Sequence, residues 1–140
     1  MDYTFKGMTI SGVWVYGGLY VDNTGRHYIN RTYEDNIVQH EVMEDTVCNS
    51  TGIYDNFARA IFFKDVVECE KPYENRITKG NEAMIGVVVY EYGQYYLLFE
   101  DGTATDFDKS DSYRRIGNIN DKGEEKFKEL FESWKESILD

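Results

Sequence analysis

The side chains that most often carry chemistry are sparse in this chain, which has two histidines, His27 and His40, and two cysteines, Cys48 and Cys69. A hydrolytic triad needs a nucleophile beside a histidine that a carboxylate orients, and no nucleophile elbow adjoins either histidine. Zinc ligands usually come as closely spaced pairs, and these four residues form no such pair. The sequence therefore predicts neither a triad nor a zinc site, and we expect reduced, partly buried cysteines.

An acidic stretch at residues 101–111 resembles the start of a calcium-binding loop, with Asp106 and Asp108 inside it. An EF-hand loop requires glycine at its sixth position and glutamate at its twelfth, and here Asp111 and Gly117 stand there. The glycine patterns of P-loops and dinucleotide-binding folds are also missing. We predict no metal, no cofactor and no enzymatic activity.

The charge of the chain restricts its partners. A formal net charge of -11 arises from 26 acidic residues against 15 lysines and arginines. Such a chain repels a phosphate backbone, so no direct nucleic-acid binding is expected. The N-terminus has no basic segment leading into an apolar run, and the longest apolar runs are only strand-sized. We therefore expect a cytosolic protein without membrane insertion, and the resemblance described below implies that the cytoplasm is bacterial.

The composition favours strands over helices. The chain has 12 tyrosines, 8 phenylalanines and 2 tryptophans but a single proline, and aromatic residues suit pleated, half-buried surfaces. A length of 140 residues matches one domain. We predict one mainly β domain over residues 1–140.

Two hairpins stand out, because apolar strand-like runs flank residues that favour tight turns. The first joins 13–21 to 26–29 through Asp22 to Gly25. The second joins 84–91 to 94–100 through Tyr92-Gly93, and both of its faces are apolar, so it should be central to the core. A further turn is predicted at Asp101-Gly102.

The remaining segments have weaker patterns. We predict a polar loop with short strands at 30–45, a structured connection at 46–55, one strand at 61–69, a polar surface loop at 70–82 and a short strand at 116–119.

A C-terminal amphipathic helix is predicted from residue 122 to 139. Asp121 is suited to be its N-cap, with Glu124 three residues further on. Apolar side chains recur at helical spacing and form one stripe, which consists of Phe127, Leu130, Phe131, Trp134 and Ile138. The stripe packs either on the protein's own sheet or on another copy, and the sequence leaves both arrangements open.

Several segments, read in order, resemble the YopX family of phage and prophage proteins. The tetrapeptide Trp14-Val15-Tyr16-Gly17 is similar to the family's W-V-Y-G, and residues 46–55 match T-V-x-x-x-T-G-x-x-D. Residues 61–67 are similar to I-[YF]-E-G-D-I-V, although Lys64 stands at its glycine. Residues 86–93 and 116–119 match G-V-V-x-Y-x-x-G and I-G-N-I.

The resemblance implies a mainly β fold in which an N-terminal β region, 1–55, packs with a small barrel, 56–120, followed by the helix, 121–140. It also implies a phage or prophage origin and frequent oligomers, without an established biochemical function. The residues that carry the resemblance also have a structural interpretation, since glycines serve turns and Trp14 and Tyr16 serve a core.

Two functions follow as hypotheses. The first is a non-enzymatic binding or assembly module that oligomerises or takes a host or phage protein partner. The second is an acidic mimic of nucleic acid that inhibits a host DNA-processing enzyme. The first predicts an apolar patch at Phe127, Phe131 and Trp134, and the second predicts a carboxylate face at Glu100, Asp101, Asp106, Asp108 and Asp111.

Overall fold

The computed structural model describes residues 4–72, 81–107 and 112–139. The chain divides into two compact units, Met1–Gly52 and Ile53–Asp140. In the part of the chain that is described, antiparallel strands dominate and one α-helix stands at the C-terminus. The prediction of a mainly β fold with a C-terminal helix is thus confirmed, whereas the boundaries at residues 55 and 120 stay predictions.

The first unit is built on one antiparallel sheet. Its strand order is β4-β3-β2-β1-β5, so consecutive hairpins make most of it. A single 3-10 turn, Glu44–Thr46, lies between β4 and β5. The strands are β1 Phe5–Met8, β2 Trp14–Val21, β3 His27–Tyr33, β4 Asn36–Val42 and β5 Cys48–Tyr54, whose last two residues belong to the second unit.

The predicted β2–β3 hairpin is confirmed, and Asp22 shapes its turn. The Asp22 carboxylate accepts hydrogen bonds from the N–H groups of Thr24 and Arg26 at 2.9 and 3.0 Å. Further along β2, a side chain at Gly17 would place its Cβ 2.1 Å from the carbonyl oxygen of Asn30 on β3. Only glycine permits this close approach of the two strands.

Two predictions in this unit were wrong. The segment 30–45 is not a loop with short strands, because the second half of β3 pairs with β4 along its whole length. The segment 46–55 is largely strand β5, which pairs with β1 although its residues are polar. The segment 30–45 is largely exposed, and the residues of 46–55 are mostly half-buried but small and polar, so no alternation of apolar and polar residues marked either segment as strand.

The second unit contains a five-stranded antiparallel sheet with the order β10-β9-β8-β7-β11. In the described part of this sheet β10 and β11 are its two ends, so the predicted small barrel is not confirmed. The short strand β6 adjoins the end of β5. The strands are β6 Ala60–Phe62, β7 Asp65–Pro72, β8 Asn81–Glu91, β9 Gln94–Phe99, β10 Ala104–Asp106 and β11 Ser112–Asn118.

The predicted central hairpin is confirmed, with Glu91 of β8 opposite Gln94 of β9. Consecutive side chains of a strand point to opposite faces, and both faces of β8 are buried here. One face packs with the cluster Ile61, Val67, Cys69, Val88, Leu97, Phe99 and Tyr113. The other packs with the cluster Val66, Val87, Val89, Leu98, Ile119, Phe127 and Phe131.

The segment 61–69 is two strands, not the single strand predicted. Lys64 has a φ of +74° and turns the chain between β6 and β7. Its N–H donates to the Val88 carbonyl at 3.0 Å, and its carbonyl accepts from Ile119 N–H at 3.1 Å. Strand β7 then continues to Pro72 and β8 begins at Asn81, so the loop predicted at 70–82 was too long, and residues 73–80 lie outside the described part.

The helix α1, Glu125–Leu139, begins later than predicted. Asp121 is not its N-cap, because the Asp121 carboxylate accepts from Asn118 N–H at 2.9 Å and closes the turn before the helix. Gly123 follows with a φ of +91°, which is incompatible with a helix. The Glu124 carbonyl instead accepts the first helical hydrogen bond, from Lys128 N–H.

The apolar stripe of α1 packs on its own sheet, the first of the two arrangements that the sequence left open. Phe127 and Phe131 are buried in the cluster on β8 and β9, with Leu130 and Trp134 at its margin. The Phe131 ring meets Phe63 edge-on at 5.6 Å between centroids. The patch predicted at Phe127, Phe131 and Trp134 is therefore mainly core in the folded unit.

Replacing Phe131 by alanine should destabilise the protein by about 3–5 kcal/mol, because the substitution opens a cavity under the helix. Phe131 is only 3% exposed. Denaturant unfolding measures the change, and Ser133→Ala, on the exposed side of α1, should stay within about 0.5 kcal/mol. A small loss combined with a lower native mass would show that the stripe serves assembly instead.

Candidate interaction surfaces

The β8–β9 hairpin of the second unit ends in a cluster of tyrosines. Tyr92 and Gly93 form its two-residue turn with φ values of 54° and 78°, as a type I′ turn requires. The Tyr92 side chain is 93% exposed. Beside it, the rings of Tyr90 and Tyr95 pack across the strands at a tilt of 59°, with centroids 4.8 Å apart. We call Tyr90, Tyr92 and Tyr95 the tyrosine tip.

Glu91 is the only acidic residue among residues 90–95 at the end of this hairpin, and it is half-buried. Its Oε2 atom is 3.5 Å from the Trp134 indole nitrogen of α1. An indole N–H is a hydrogen-bond donor, so the contact directs the carboxylate toward the helix. The tyrosine tip consequently presents aromatic surface with little charge.

Strand β4 forms a second exposed feature, in the first unit. It is the last strand of its sheet order, and β3 is its one partner among the described strands. Ile37 on β4 is 75% exposed, and Tyr33 at the end of β3 is exposed as well. The turn between them, Glu34-Asp35, has φ values of 47° and 66°.

Asp55 organises the turn between β5 and β6. Its buried carboxylate accepts hydrogen bonds from the N–H groups of Phe57, Arg59 and Arg115 at 2.9, 2.9 and 3.1 Å. The Arg59 guanidinium forms an ion pair with the same group at 2.9 Å. Burial by itself raises the pKa of Asp55, but these hydrogen bonds outweigh it and hold the pKa below its ordinary value.

A second buried carboxylate, Asp65, ties β7 to the turn before it and to β11. It accepts hydrogen bonds from Phe62 N–H at 2.7 Å and from the Asn118 side-chain amide at 3.0 Å. Asp55, Asp65 and Asn118 belong to the segments that resemble the YopX family. Their hydrogen bonds connect strands and turns of the second unit.

The predicted carboxylate face is only partly described. Glu100 forms an ion pair with Lys126 of α1. Asp101 accepts from the hydroxyl and N–H of Thr103 at 2.6 and 2.9 Å, and these hydrogen bonds, the hydroxyl one foremost, lower the pKa of Asp101. Asp106 is exposed on β10, while Asp108 and Asp111 lie outside the described residues. The structure thus assigns two of these carboxylates to local contacts.

The histidines and cysteines occupy separate places. The His27 ring contacts the Gly25 carbonyl at 3.0 Å, and His40 lies on β4 opposite Ile29. Cys48 is buried in the first unit, where its thiol meets the Thr46 carbonyl, and Cys69 belongs to the core of the second. Among the residues described, no group of three or more His, Cys, Asp and Glu side chains is placed to hold a metal ion.

Sequence reasoning located the β8–β9 turn but did not single out its exposed tyrosine. A usable signal was present, since asparagine, aspartate or glycine usually occupies the first position of such a turn and tyrosine stands there. For β4, no pattern in the sequence distinguished an edge strand from a polar loop.

The comparisons with known proteins add no relative. No protein-family model matches the chain, and no curated protein matches it. The described part of the chain contains no helix that is long and apolar enough to cross a membrane.

Replacing Asp55 by asparagine should destabilise the protein by about 3 kcal/mol at pH 7, because a buried charge partner of Arg59 is lost. The folded-state pKa lies below the unfolded one, so the stabilisation is complete above the unfolded value, near 3.9, and is lost as the pH falls through the folded pKa. Urea unfolding from pH 7 to pH 2.5 should show the two proteins converging. Asp106→Asn, on exposed β10, is the control, and an undiminished difference at pH 2.5 would contradict the assignment.

Proposed function

We propose that the chain is a non-enzymatic binding and assembly module that self-associates through the tyrosine tip. In line with the resemblance to the YopX family, we assign it to a phage or prophage and to the cytoplasm of the bacterial host. We further propose that residues 56–120 form the small barrel that the same resemblance implies. The observation that carries it is the conformation and exposure of Tyr92.

The type I′ turn requires a left-handed conformation at residue 92, but the folding of its own unit does not explain why a tyrosine stands there. A left-handed backbone conformation is unfavourable for a bulky side chain, and an asparagine or glycine would relieve it. The ring gains little packing in return, since it is 93% exposed. Strained residues that persist at the surface favour a functional role, and tyrosine is among the residues that dominate binding energy at interfaces.

Self-association at this place is consistent with the charge of the chain. Two copies that each carry a net charge of -11 repel one another, so their contact needs an area with few carboxylates. The tyrosine tip is such an area, because the neighbouring Glu91 is directed toward Trp134. Aromatic rings of two copies can then pack in tilted or offset arrangements.

Replacing Tyr92 by asparagine should weaken self-association about tenfold or more without loss of stability, because asparagine tolerates positive φ. Light scattering across a concentration series measures the native mass, and thermal unfolding measures the stability. Tyr90→Ser should act in the same direction. Phe57→Ser, which removes another exposed aromatic ring of the second unit, is the matched control.

Two results would contradict this proposal. One is a wild-type protein that stays monomeric at every concentration. The other is an equal loss of association in Phe57→Ser and Tyr92→Asn, which would show general stickiness of exposed rings.

One observation favours the second hypothesis, an acidic mimic of nucleic acid. Glu125, Glu129, Glu132 and Glu136 lie at helical spacing on the exposed side of α1, about 4.5–6 Å apart along the axis. Three lysines of the same helix offset much of this charge, namely Lys126, Lys128 and Lys135. The mimic is therefore the weaker of the two proposals.

If the mimic is correct, the protein should inhibit a non-specific bacterial endonuclease stoichiometrically at low salt, and less so at high salt. Glu129→Lys with Glu132→Lys should abolish the inhibition. Glu44→Lys with Glu70→Lys changes the net charge equally at other exposed positions and should preserve it. Equal loss in both double variants would reduce the effect to net charge and reject the mimic.

A further inference from the structure

One face of the first unit's sheet carries two neighbouring tyrosines. Tyr20 on β2 stands opposite Tyr28 on β3, and side chains at opposite positions project from the same face. Their ring centroids lie 6.1 Å apart at a tilt of 37°, and Tyr20 is 50% exposed. The described cation–π contacts involve other rings, such as Lys6 over Trp14 at the start of β2. We call Tyr20 and Tyr28 the tyrosine pair.

Two carboxylates adjoin the tyrosine pair. Glu41 on β4 stands opposite Tyr28 and is exposed, and the described ion pairs do not include it. The Asp22 carboxylate accepts a hydrogen bond from the Tyr28 hydroxyl at 3.3 Å. Arg26, in the adjoining turn, is exposed and forms no described cation–π contact with either ring. Negative charge beside aromatic rings attracts a cation from outside the chain.

The same face holds a buried acceptor without a donor. The side-chain oxygen Oδ1 of Asn30 is buried and has no hydrogen-bond partner among the described residues. Asn30 follows Tyr28 by two positions on β3, so both side chains project from one face. It stands opposite Gly18 of β2, which brings no side chain to the amide. A buried acceptor without a donor costs free energy, and a ligand that donates a hydrogen bond would remove this cost.

These features select one kind of ligand. Carboxylates and an amide oxygen call for a ligand that only donates hydrogen bonds, and aromatic rings favour a flat cation. The arginine guanidinium combines planar shape, positive charge and five donors, whereas the lysine ammonium is more strongly hydrated and has no flat face. A second copy is the poorer occupant, since the carboxylates of this face add to the repulsion between two chains of net charge -11.

We propose that the tyrosine pair of the first unit binds an arginine side chain of a partner protein. The guanidinium stacks on Tyr20, pairs with Glu41 and donates a hydrogen bond to the Oδ1 atom of Asn30. Rotation of the half-exposed Tyr20 ring or of the Asn30 amide brings this oxygen to the donor, and side chains at the surface rotate within nanoseconds. The proposal does not rest on the one for the tyrosine tip.

The experiment titrates the full chain with a capped glycine–serine peptide that carries one central arginine. Two-dimensional ¹H–¹⁵N NMR should show saturable shifts at Tyr20, Tyr28 and Glu41 and at the side-chain amide of Asn30. Peptides of the same length with lysine or with uncharged citrulline at the centre should bind at least about fivefold more weakly.

Two substitutions with matched controls test the ring and the charge. Tyr20→Ser should weaken binding of the arginine peptide about fivefold, because a cation–π contact is lost. Tyr33→Ser removes another exposed ring of the same unit and should leave the affinity unchanged. Glu41→Gln should weaken binding about threefold, whereas Glu44→Gln removes the same charge at another exposed position and should not.

A third substitution separates ligand binding from a structural role of Asn30. Asn30→Val removes the oxygen that lacks a donor and places a β-branched residue in a strand, so the midpoint of thermal unfolding should stay or rise. Binding of the arginine peptide should fall about fivefold or more, because a hydrogen bond to a charged group is lost. A lower midpoint with unchanged binding would show that the amide serves only the fold.

Several results would overturn the proposal. Equal binding of the lysine peptide would show attraction by charge alone. Equal weakening in Tyr20→Ser and Tyr33→Ser, or no shifts at the tyrosine pair, would place the peptide elsewhere. A native mass that falls in Tyr20→Ser but not in Tyr33→Ser would put a second copy on this face instead of another protein. The tyrosine tip is tested separately by Tyr92→Asn, which should leave the binding of the arginine peptide unchanged.

Discussion

The second unit depends on the burial of β8 from both sides. Val87, Val88 and Val89 follow one another with both faces covered, and a strand of this kind is stable only if separate elements cover each face. The helix α1 supplies Phe127 and Phe131 to one face. On the other face Ile61 of β6 packs into the cluster, with Ile53 of β5 against it, and the hydrogen bonds of Asp55 and Asp65 hold the strands and turns beside them. The apolar stripe of α1 is therefore occupied within its own unit.

The first unit is stabilised differently, with a smaller apolar core. Its buried apolar residues are few among those described, chiefly Ile29, Val42 and Cys48, so the sheet is maintained mostly by its hairpin pairing and by turn contacts such as those of Asp22. Cross-strand pairs each contribute only about 0.2–1 kcal/mol. A sheet with this little core leaves much side-chain surface exposed.

The parts of the fold that could be predicted are those with strong local patterns. The α1 stripe was identified because burial of one helical face imposes a period of about 3.6 residues. The β8–β9 hairpin was identified because burial of both faces gives two continuous apolar runs, here on either side of a turn. Strand β4 was missed because it is largely exposed, and β5 because its half-buried residues are mostly small and polar. The helix start was misplaced because Asp121 prefers the Asn118 turn, a competition among hydrogen bonds that spacing alone does not reveal. The tyrosine tip needed side-chain exposure, which only the structure supplies.

Positive φ at non-glycine residues separates positions that the fold explains from those it does not. Lys64 is held by backbone hydrogen bonds to Val88 and Ile119, and its ammonium lies 5.5 Å from the Phe131 ring centre. Ala58 lies within the turn that Asp55 organises, and its N–H donates to the Asp55 carbonyl. The φ of Tyr92 is set by its type I′ hairpin turn, as is that of Glu34 at the equivalent position of the β3–β4 turn, and both residues are exposed. Such conformations cost about 1–3 kcal/mol, and the cost is highest for a bulky side chain. The conformation at residue 92 thus follows from the turn, whereas the choice of an exposed aromatic ring there has no reason within the fold.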